Sequence, residues 1–254
     1  MREHISYSEL KVWSECTYKH KLKYIDKASL FEGNEFTLFG TALHDTCEKA
    51  IITGSVNPTD YFVHTFLKEV EGLRERGVSL DGGLLGAMEA QGRNLVPKVI
   101  PALDEYFGKY EVVSTEEMIY EPIEWSALKF KGYIDLILKV GDKYHIIDWK
   151  TCSWGWDARK KADKILSYQL TLYKYFFSQK HNIDLKDIET HFALLKRTAK
   201  KREVEIFRVT SGHRKIKNAL NLLKRALYNV ENKRQIKNRL SCGRCEFYKT
   251  VHCT

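Results

Sequence analysis

Residues 128–151 read LKFKGYIDLILKVGDKYHIIDWKT. Two runs rich in aliphatic and aromatic residues, Phe130 to Val140 and Tyr144 to Trp149, flank Gly141-Asp142, a dipeptide suited to a tight hairpin turn. The pattern predicts two antiparallel strands, 128–140 and 143–149. Each carries an acid that an apolar strand does not want: Asp135 interrupts Tyr133, Ile134, Leu136 and Ile137, and Asp148 follows Ile146-Ile147. A buried carboxylate is costly unless it is paired or bound to a metal. Lys150 lies two positions beyond Asp148, on the same face of the strand. Read blandly, Asp148 and Lys150 form an exposed ion pair worth ~0–1 kcal/mol. Pairing across the turn gives a chemical reading, because it brings Asp135 to Asp148 with Lys150 beside them. Two carboxylates can hold Mg²⁺ or Mn²⁺, and the lysine can orient a water for attack on phosphorus and offset developing negative charge.

Outward from this hairpin, EVVSTEEMIYEP (111–122) adds a strand before it, and a helix over ILSYQLTLYKYFFSQ (165–179) follows it. Strands are expected at IETHFALLKRTA and EVEIFRVT, then a long basic helix over 211–234 capped by Thr210 or Ser211. Upstream, SYSELKVWSECTYKHKLKYI (6–25) reads as one amphipathic helix carrying Cys16. FGTALHDTCEKAII (39–52) reads as a second, opened by Gly40 and Thr41, with His44 and Glu48 four apart on one face. Gly54 to Gly92 is the least regular part, helical pieces around a Gly-rich turn that suit a mobile cap. The order calls for an α/β fold, a mixed sheet flanked by helices and preceded by a helical region.

The 254 residues include 43% hydrophobic ones, enough for a proper core, and 4 Pro with 15 Gly, too few for a long linker. A run of about 18 apolar residues and a signal-like apolar start are both lacking, so a cytoplasmic protein is expected. Six cysteines in that compartment favour metal or cluster ligation and burial over disulfides. The net charge of +9 favours a polyanionic partner, nucleic acid before anionic membrane.

Gly132-Tyr133-Ile134-Asp135 and Asp148-Trp149-Lys150 together resemble the active-site signature of the PD-(D/E)XK nuclease superfamily, with Ile where Pro is usual. The Gly-X-X-Asp form is that of its RecB-like branch. GTALHDTCE resembles the branch's Gly-X-X-X-His motif, and YQLTLYKY its Gln-X-X-X-Tyr motif. The resemblance implies a restriction-endonuclease-like core over 111–210, with 1–110 a helical region carrying Cys16 and His44, and 211–254 a C-terminal helix with a cysteine cluster. It assigns Asp135, Asp148, Lys150, Gln169 and Tyr173 to catalysis and adds His44 to the two acids as a metal ligand. Without that context, a lone helical His or a Gln-X-X-X-Tyr spacing is more often an ordinary surface or core feature.

The tail SCGRCEFYKTVHC (241–253) holds Cys242, Cys245 and Cys253. Two thiolates at C-X-X-C spacing with a third nearby suit a metal, and Cys16 makes four if the chain ends meet. This arrangement resembles that of AddB-type and CRISPR adaptation nucleases, which implies a [4Fe–4S] cluster; Zn²⁺ needs the same number of thiolates. Cys47 reads as a buried helix residue, and Cys152 as a neighbour of Lys150.

These readings lead to a metal-dependent DNA nuclease, an exonuclease on single strands or ends, acting in recombination, repair or genome processing in a microbe or phage. The rival is a catalytically weak nucleic-acid-binding module stabilised by a cluster or zinc. Trp149, Trp154 and Trp156 suit base stacking, with core packing the alternative for at least one. Lys217 and Lys224, on the basic helix, are candidate phosphate contacts, with a solvated helix face the alternative and KHKLKYIDK (19–27) a second possible path.

Overall fold

The computed structural model describes residues 2–28, 31–54 and 57–253. A short strand β1 (His4–Ser6) leads into α1 (Tyr7–Glu15), whose first turn is capped by Ser6 accepting from the Glu9 amide at 3.2 Å. The helix expected over 6–25 is broken at Cys16, which is extended at φ −162° and ψ 118°. The Cys16 sulfur caps α2 (Thr17–His20) by accepting from the Lys19 amide at 3.5 Å, and a wide turn continues over Lys21–Ile25.

Helix α3 (Glu35–Thr53) starts five residues before Gly40, because Asn34 and Thr37 form a reciprocal capping box. The region read as irregular contains two regular helices, α4 (Pro58–Glu75) and α5 (Gly82–Leu95), capped by Asn57 and Asp81. Its glycines mislead because Gly92 serves packing: a Cβ there would fall 2.0 Å from the Phe62 ring. Helix α6 (Val99–Phe107) completes this layer.

The sheet follows: β2 (Glu111–Pro122), β3 (Lys129–Val140) and β4 (Lys143–Cys152), then α7 (Ala158–Lys161), α8 (Lys164–His181), β5 (Ile188–Lys196), β6 (Val204–Arg208) and α9 (His213–Glu231). The hairpin forms as read, with Leu136 opposite Ile147 and Ile137 opposite Ile146, and Gly141 taking φ +57° in the turn. β4 pairs parallel with β5 through the α8 crossover, and β6 is antiparallel to β5. β2 runs along nearly all of β3, while β1 joins the start of β3 in parallel, Ile5 opposite Phe130. The result is a six-stranded mixed sheet. Residues of α1, α8 and α9 pack one core on one face, and those of α3 to α6 pack a second on the other. Helix α9 starts after Gly212, which gives no side-chain cap; the Ser211 hydroxyl instead turns inward to Thr171 and Thr190, at 3.2 Å from each.

Among the described residues, no helix is long and apolar enough to cross a membrane.

Candidate active site

The β3–β4 ladder ends with Leu136 opposite Ile147, and Asp135 and Asp148 are the next pair along the strands. Asp135 is anchored there by the Trp149 amide, which donates to Oδ2 at 2.7 Å. Asp148 is 1% exposed, and the Lys150 ammonium stands 2.5 Å from its Oδ2. That approach is an ion pair without hydrogen-bond geometry, so this buried oxygen has no hydrogen-bond partner. From α3, His44 brings Nδ1 to 3.8 Å from Asp135 Oδ2. From α8, Gln169 lies beside Asp148, where it pulls that carboxyl down, and donates Nε2–H to the Tyr173 hydroxyl at 3.3 Å. The Tyr173 ring lies against the backbone of Gly132, where a Cβ would sit 2.6 Å from Cε1. Gly132 is thus the residue that admits this tyrosine.

The electrostatics ask for a cation. Burial, then the neighbouring Asp148 charge, push the Asp135 carboxyl well above the usual carboxylate range, with Lys150 and the Trp149 amide pulling it partly back. Burial also raises Asp148, against the pull of Lys150 and Gln169. About a third of the His44 side chain meets solvent, yet desolvation and then Lys150 lower it to about 4, so the imidazole is neutral and free to ligate. Two buried acids, an oxygen without a hydrogen bond and a neutral imidazole form a donor set that fits a hard divalent cation. The ligand atoms of this trio do not all lie within 4.8 Å of one another, so the side chains would draw together around a metal.

A third acid escaped the sequence reading. Glu116 sits on β2 between Thr115, which faces Leu136, and Glu117, which faces Ile134. It has a left-handed backbone, φ +47°, that no strand pattern announces. Burial, then Glu48, Asp148 and Asp45, raise its carboxyl. It lines a groove of about 710 Å³ with His44, Asp45, Glu48, Lys150 and Thr151. Glu48, a helical turn beyond His44, lines the same groove, but nothing in the sequence tied it to Glu116.

A second groove, of about 550 Å³, meets the first at Lys150 and Thr151. Lys11, Lys19, Lys23, Lys160, Trp156 and Gln169 are among the residues that line it. Residues 19–27 therefore contribute to the basic side of the site. Lys217 and Lys224 border a separate hollow with Trp125, lined by none of the candidate catalytic residues. The expectation that Trp149 stacks on bases is corrected, because its side chain is 1% exposed within the α3–α6 core. Alternation explains it: residues 147 and 149 face that core, while 148 and 150 face the site. Trp154 is 76% exposed, and Trp156 packs on Phe192 and Phe207.

A family model of the PD-(D/E)XK nuclease superfamily matches residues 4–250. The chain belongs to the PD-(D/E)XK nuclease superfamily. The observed sheet and flanking helices are the fold of that superfamily, and membership makes the chain a nuclease, a phosphodiester-cleaving hydrolase. A crystal structure from Eubacterium rectale, of a protein provisionally assigned as an exonuclease, is similar in fold. It is 14% identical and superposes with a TM-score of 0.60 over 96% of this chain and 86% of that one. The structure of SSO0001 is 13% identical, with a TM-score of 0.38 over 85% of this chain and 96% of that one, too loose to carry an argument. No curated protein matches.

The chain ends of this PD-(D/E)XK nuclease meet. The Asn238 amide donates to Cys16 Sγ at 3.3 Å, Thr17 Oγ1 donates to the Ile236 carbonyl at 3.1 Å, and the Tyr18 hydroxyl to the His252 carbonyl at 3.3 Å. Cys16, Cys242, Cys245 and Cys253 are all free and partly buried. No three of their sulfurs gather within 4.8 Å of one another. Tetrahedral zinc with bonds of about 2.3 Å needs sulfurs about 3.8 Å apart, so the thiols stand wider than a preformed zinc site requires. Cys47 is buried as expected, and Cys152 is partly buried two residues beyond Lys150.

Proposed function

We propose that this nuclease is a divalent-metal-dependent deoxyribonuclease acting as an exonuclease on single-stranded DNA or DNA ends. The observation that carries the reading is the assembly of Asp135, Asp148, Lys150 and His44 where an acidic groove and a lysine-lined groove meet. Asp135, Asp148 and His44 would hold Mg²⁺ or Mn²⁺, which when bound supplies Lewis acidity at the phosphate and lowers the pKa of a water. Lys150 Nζ is the group that orients that water and offsets charge on the phosphorus oxygens. Gln169 fixes the Asp148 carboxylate, and Tyr173 fixes Gln169. The lysines of the second groove suit a phosphate backbone, and exposed Trp154 suits an unpaired base. The Eubacterium rectale structure supports an exonuclease reading by analogy of fold alone.

We propose in addition that Cys16, Cys242, Cys245 and Cys253 hold a [4Fe–4S] cluster that ties the tail to α1 and α2. The support is the docking of the tail on Cys16, which brings the two ends that carry the four thiols together. Such a cluster supplies covalent bracing through four thiolates.

The deciding experiment incubates purified protein with end-labelled single- and double-stranded DNA and with RNA, in Mg²⁺, Mn²⁺ or EDTA. Mononucleotide release from single-stranded DNA, abolished by EDTA, is expected. Cleavage that persists in EDTA would sink the metal assignment, and cleavage confined to RNA would sink the substrate. Anaerobically purified protein should be brown and lose its colour with Cys16→Ser. Colourless protein carrying one zinc per chain would replace the cluster by zinc.

A further inference from the structure

We infer that His145, Glu189 and His191 form a second metal site, one that takes Zn²⁺ or a similar borderline-soft divalent ion and is separate from the nuclease centre. β4 and β5 are parallel, with His145 opposite Glu189 and Ile147 opposite His191, so all three side chains share one face of the sheet. That is the α3–α6 face; Asp148, three residues beyond His145, projects from the other. Among the described residues, this is the trio of His, Cys, Asp or Glu whose ligand atoms all lie within 4.8 Å of one another.

The imidazoles meet with His145 Nδ1 and His191 Nε2 3.0 Å apart. Two nitrogens bonded to one tetrahedral zinc at about 2.0–2.1 Å stand about 3.3 Å apart, so the rings need to part by only a few tenths of an ångström. Both rings are held below the ordinary histidine range by burial, His191 down to about 3, and so are neutral as ligation requires. His191 is 2% exposed, and its Nδ1 has no hydrogen-bond partner, so the imidazole pair does not satisfy itself. Phe107 packs its ring edge-on against both imidazoles, and Tyr106 against His191. This apolar roof disfavours a loosely hydrated ion.

Glu189 supplies the anionic ligand. It currently pairs with Lys143 at 3.4 Å and Arg208 at 3.2 Å. Those side chains are 50% and 57% exposed, so both can swing into water when a dication takes the carboxylate. Two imidazoles and one carboxylate select Zn²⁺, Co²⁺ or Ni²⁺ over Mg²⁺, because nitrogen donors suit the softer ions. The ion would clamp β4 to β5 upstream of the candidate catalytic acid.

The test titrates Co²⁺ into EDTA-stripped full-length protein carrying Asp135→Asn and Asp148→Asn, which disarm the nuclease centre. One equivalent with visible d–d bands and no thiolate charge-transfer absorption is expected. Adding Glu189→Gln or His191→Gln should remove that equivalent or weaken it at least ~100-fold, more than the ~10–100-fold that loss of an outer-shell partner costs. Zn²⁺ should raise the melting temperature of the parent and leave that of both Gln variants unchanged. Glu189 is partly exposed and its ion pairs are with the exposed Lys143 and Arg208, so its variant stays informative if His191→Gln fails to fold. Absence of nitrogen- and oxygen-ligated Co²⁺ in the parent would overturn the site, as would binding of equal stoichiometry and affinity in Glu189→Gln.

Discussion

Gly132→Ala offers a sharp test of how the candidate site is held. The added Cβ would stand 2.6 Å from Tyr173 Cε1, 3.3 Å from Cζ and 3.4 Å from the hydroxyl oxygen. Carbon atoms in contact prefer about 3.5–4.0 Å, so the ring must retreat by about 1 Å. Tyr173 is buried and its ring packs on Phe130, so retreat means overpacking at ~1–3 kcal/mol. Exchanging glycine for alanine returns ~0.4–1 kcal/mol by restricting the unfolded chain, which is too little to offset the clash. A net loss of ~1–2 kcal/mol should lower the melting temperature by about 2–8 °C in a chain of this size. Activity should fall further than stability predicts, because displacing Tyr173 disturbs Gln169 and through it Asp148. Misplacement of about 1 Å can cost ~10²-fold in rate. The assay pairs thermal melts by circular dichroism with kcat and KM on end-labelled single-stranded DNA, and the loss is expected in kcat. Tyr173→Leu removes the clashing ring, so a double-mutant cycle should give a coupling of at least ~0.5 kcal/mol. Wild-type melting and turnover in Gly132→Ala, or additivity in the cycle, would refute the argument.

Asp148→Asn and Lys150→Ala should each lower cleavage by ~10²-fold or more at unchanged fold, read from initial rates and circular dichroism. Glu116→Gln should raise the Mg²⁺ concentration needed for half-maximal rate and leave the saturated rate nearer to wild type. Trp149→Ala should destabilise the protein by ~3–5 kcal/mol in urea titrations, as expected of a core aromatic, whereas Trp154→Ala should leave stability unchanged and weaken single-stranded DNA binding by ~1–3 kcal/mol. Neutralising Lys11 and Lys19 together should reduce the slope of log affinity against log salt by ~1.4, at about 0.7 per phosphate on single strands. The same slope measured on Lys217→Ala/Lys224→Ala decides whether DNA also tracks α9.

The hairpin and the α8 crossover were legible because their signals are local. Alternation across 128–151, a Gly-Asp turn and a helical period after 164 need no knowledge of distant residues. Asp135, Asp148 and Lys150 were legible for the same reason, since acids stand out in an apolar strand. β1 was not legible, because three residues become a strand only by pairing with Lys129 to Lys131 far along the chain. Glu116 was missed because a left-handed residue inside a strand is imposed by tertiary packing. The glycine count of 54–92 misled because a glycine can mark close helix contact, as Gly92 does against Phe62, as readily as a turn. Trp149 was grouped with Trp154 and Trp156 as a stacking candidate, although its place between Asp148 and Lys150 sends it to the other face. A central strand buried on both faces sends the residue between two site groups into the opposite core.

That geometry explains why acid and lysine stand two apart on one strand. Asp148 points where the sheet meets α8, and its neighbour Trp149 locks the strand into the α3–α6 core while its amide holds Asp135. One residue thus fixes both acids, through its indole on one side and its N–H on the other. Lys150 then falls at the seam where the acidic groove of α3 and β2 opens into the lysine-lined groove beside α1 and α2. On the proposed function, a phosphodiester drawn along the lysines would meet this ammonium where the two grooves join. The charge of the chain becomes directional at that seam: lysines line one groove, Asp45, Glu48 and Glu116 line the other, and Lys150 is the charged residue that both grooves share. Because the lysine-lined groove includes Lys19 and Lys23, and the C-terminal tail docks on Cys16, Thr17 and Tyr18, releasing that tail should loosen the approach to the site before it disturbs the acids themselves.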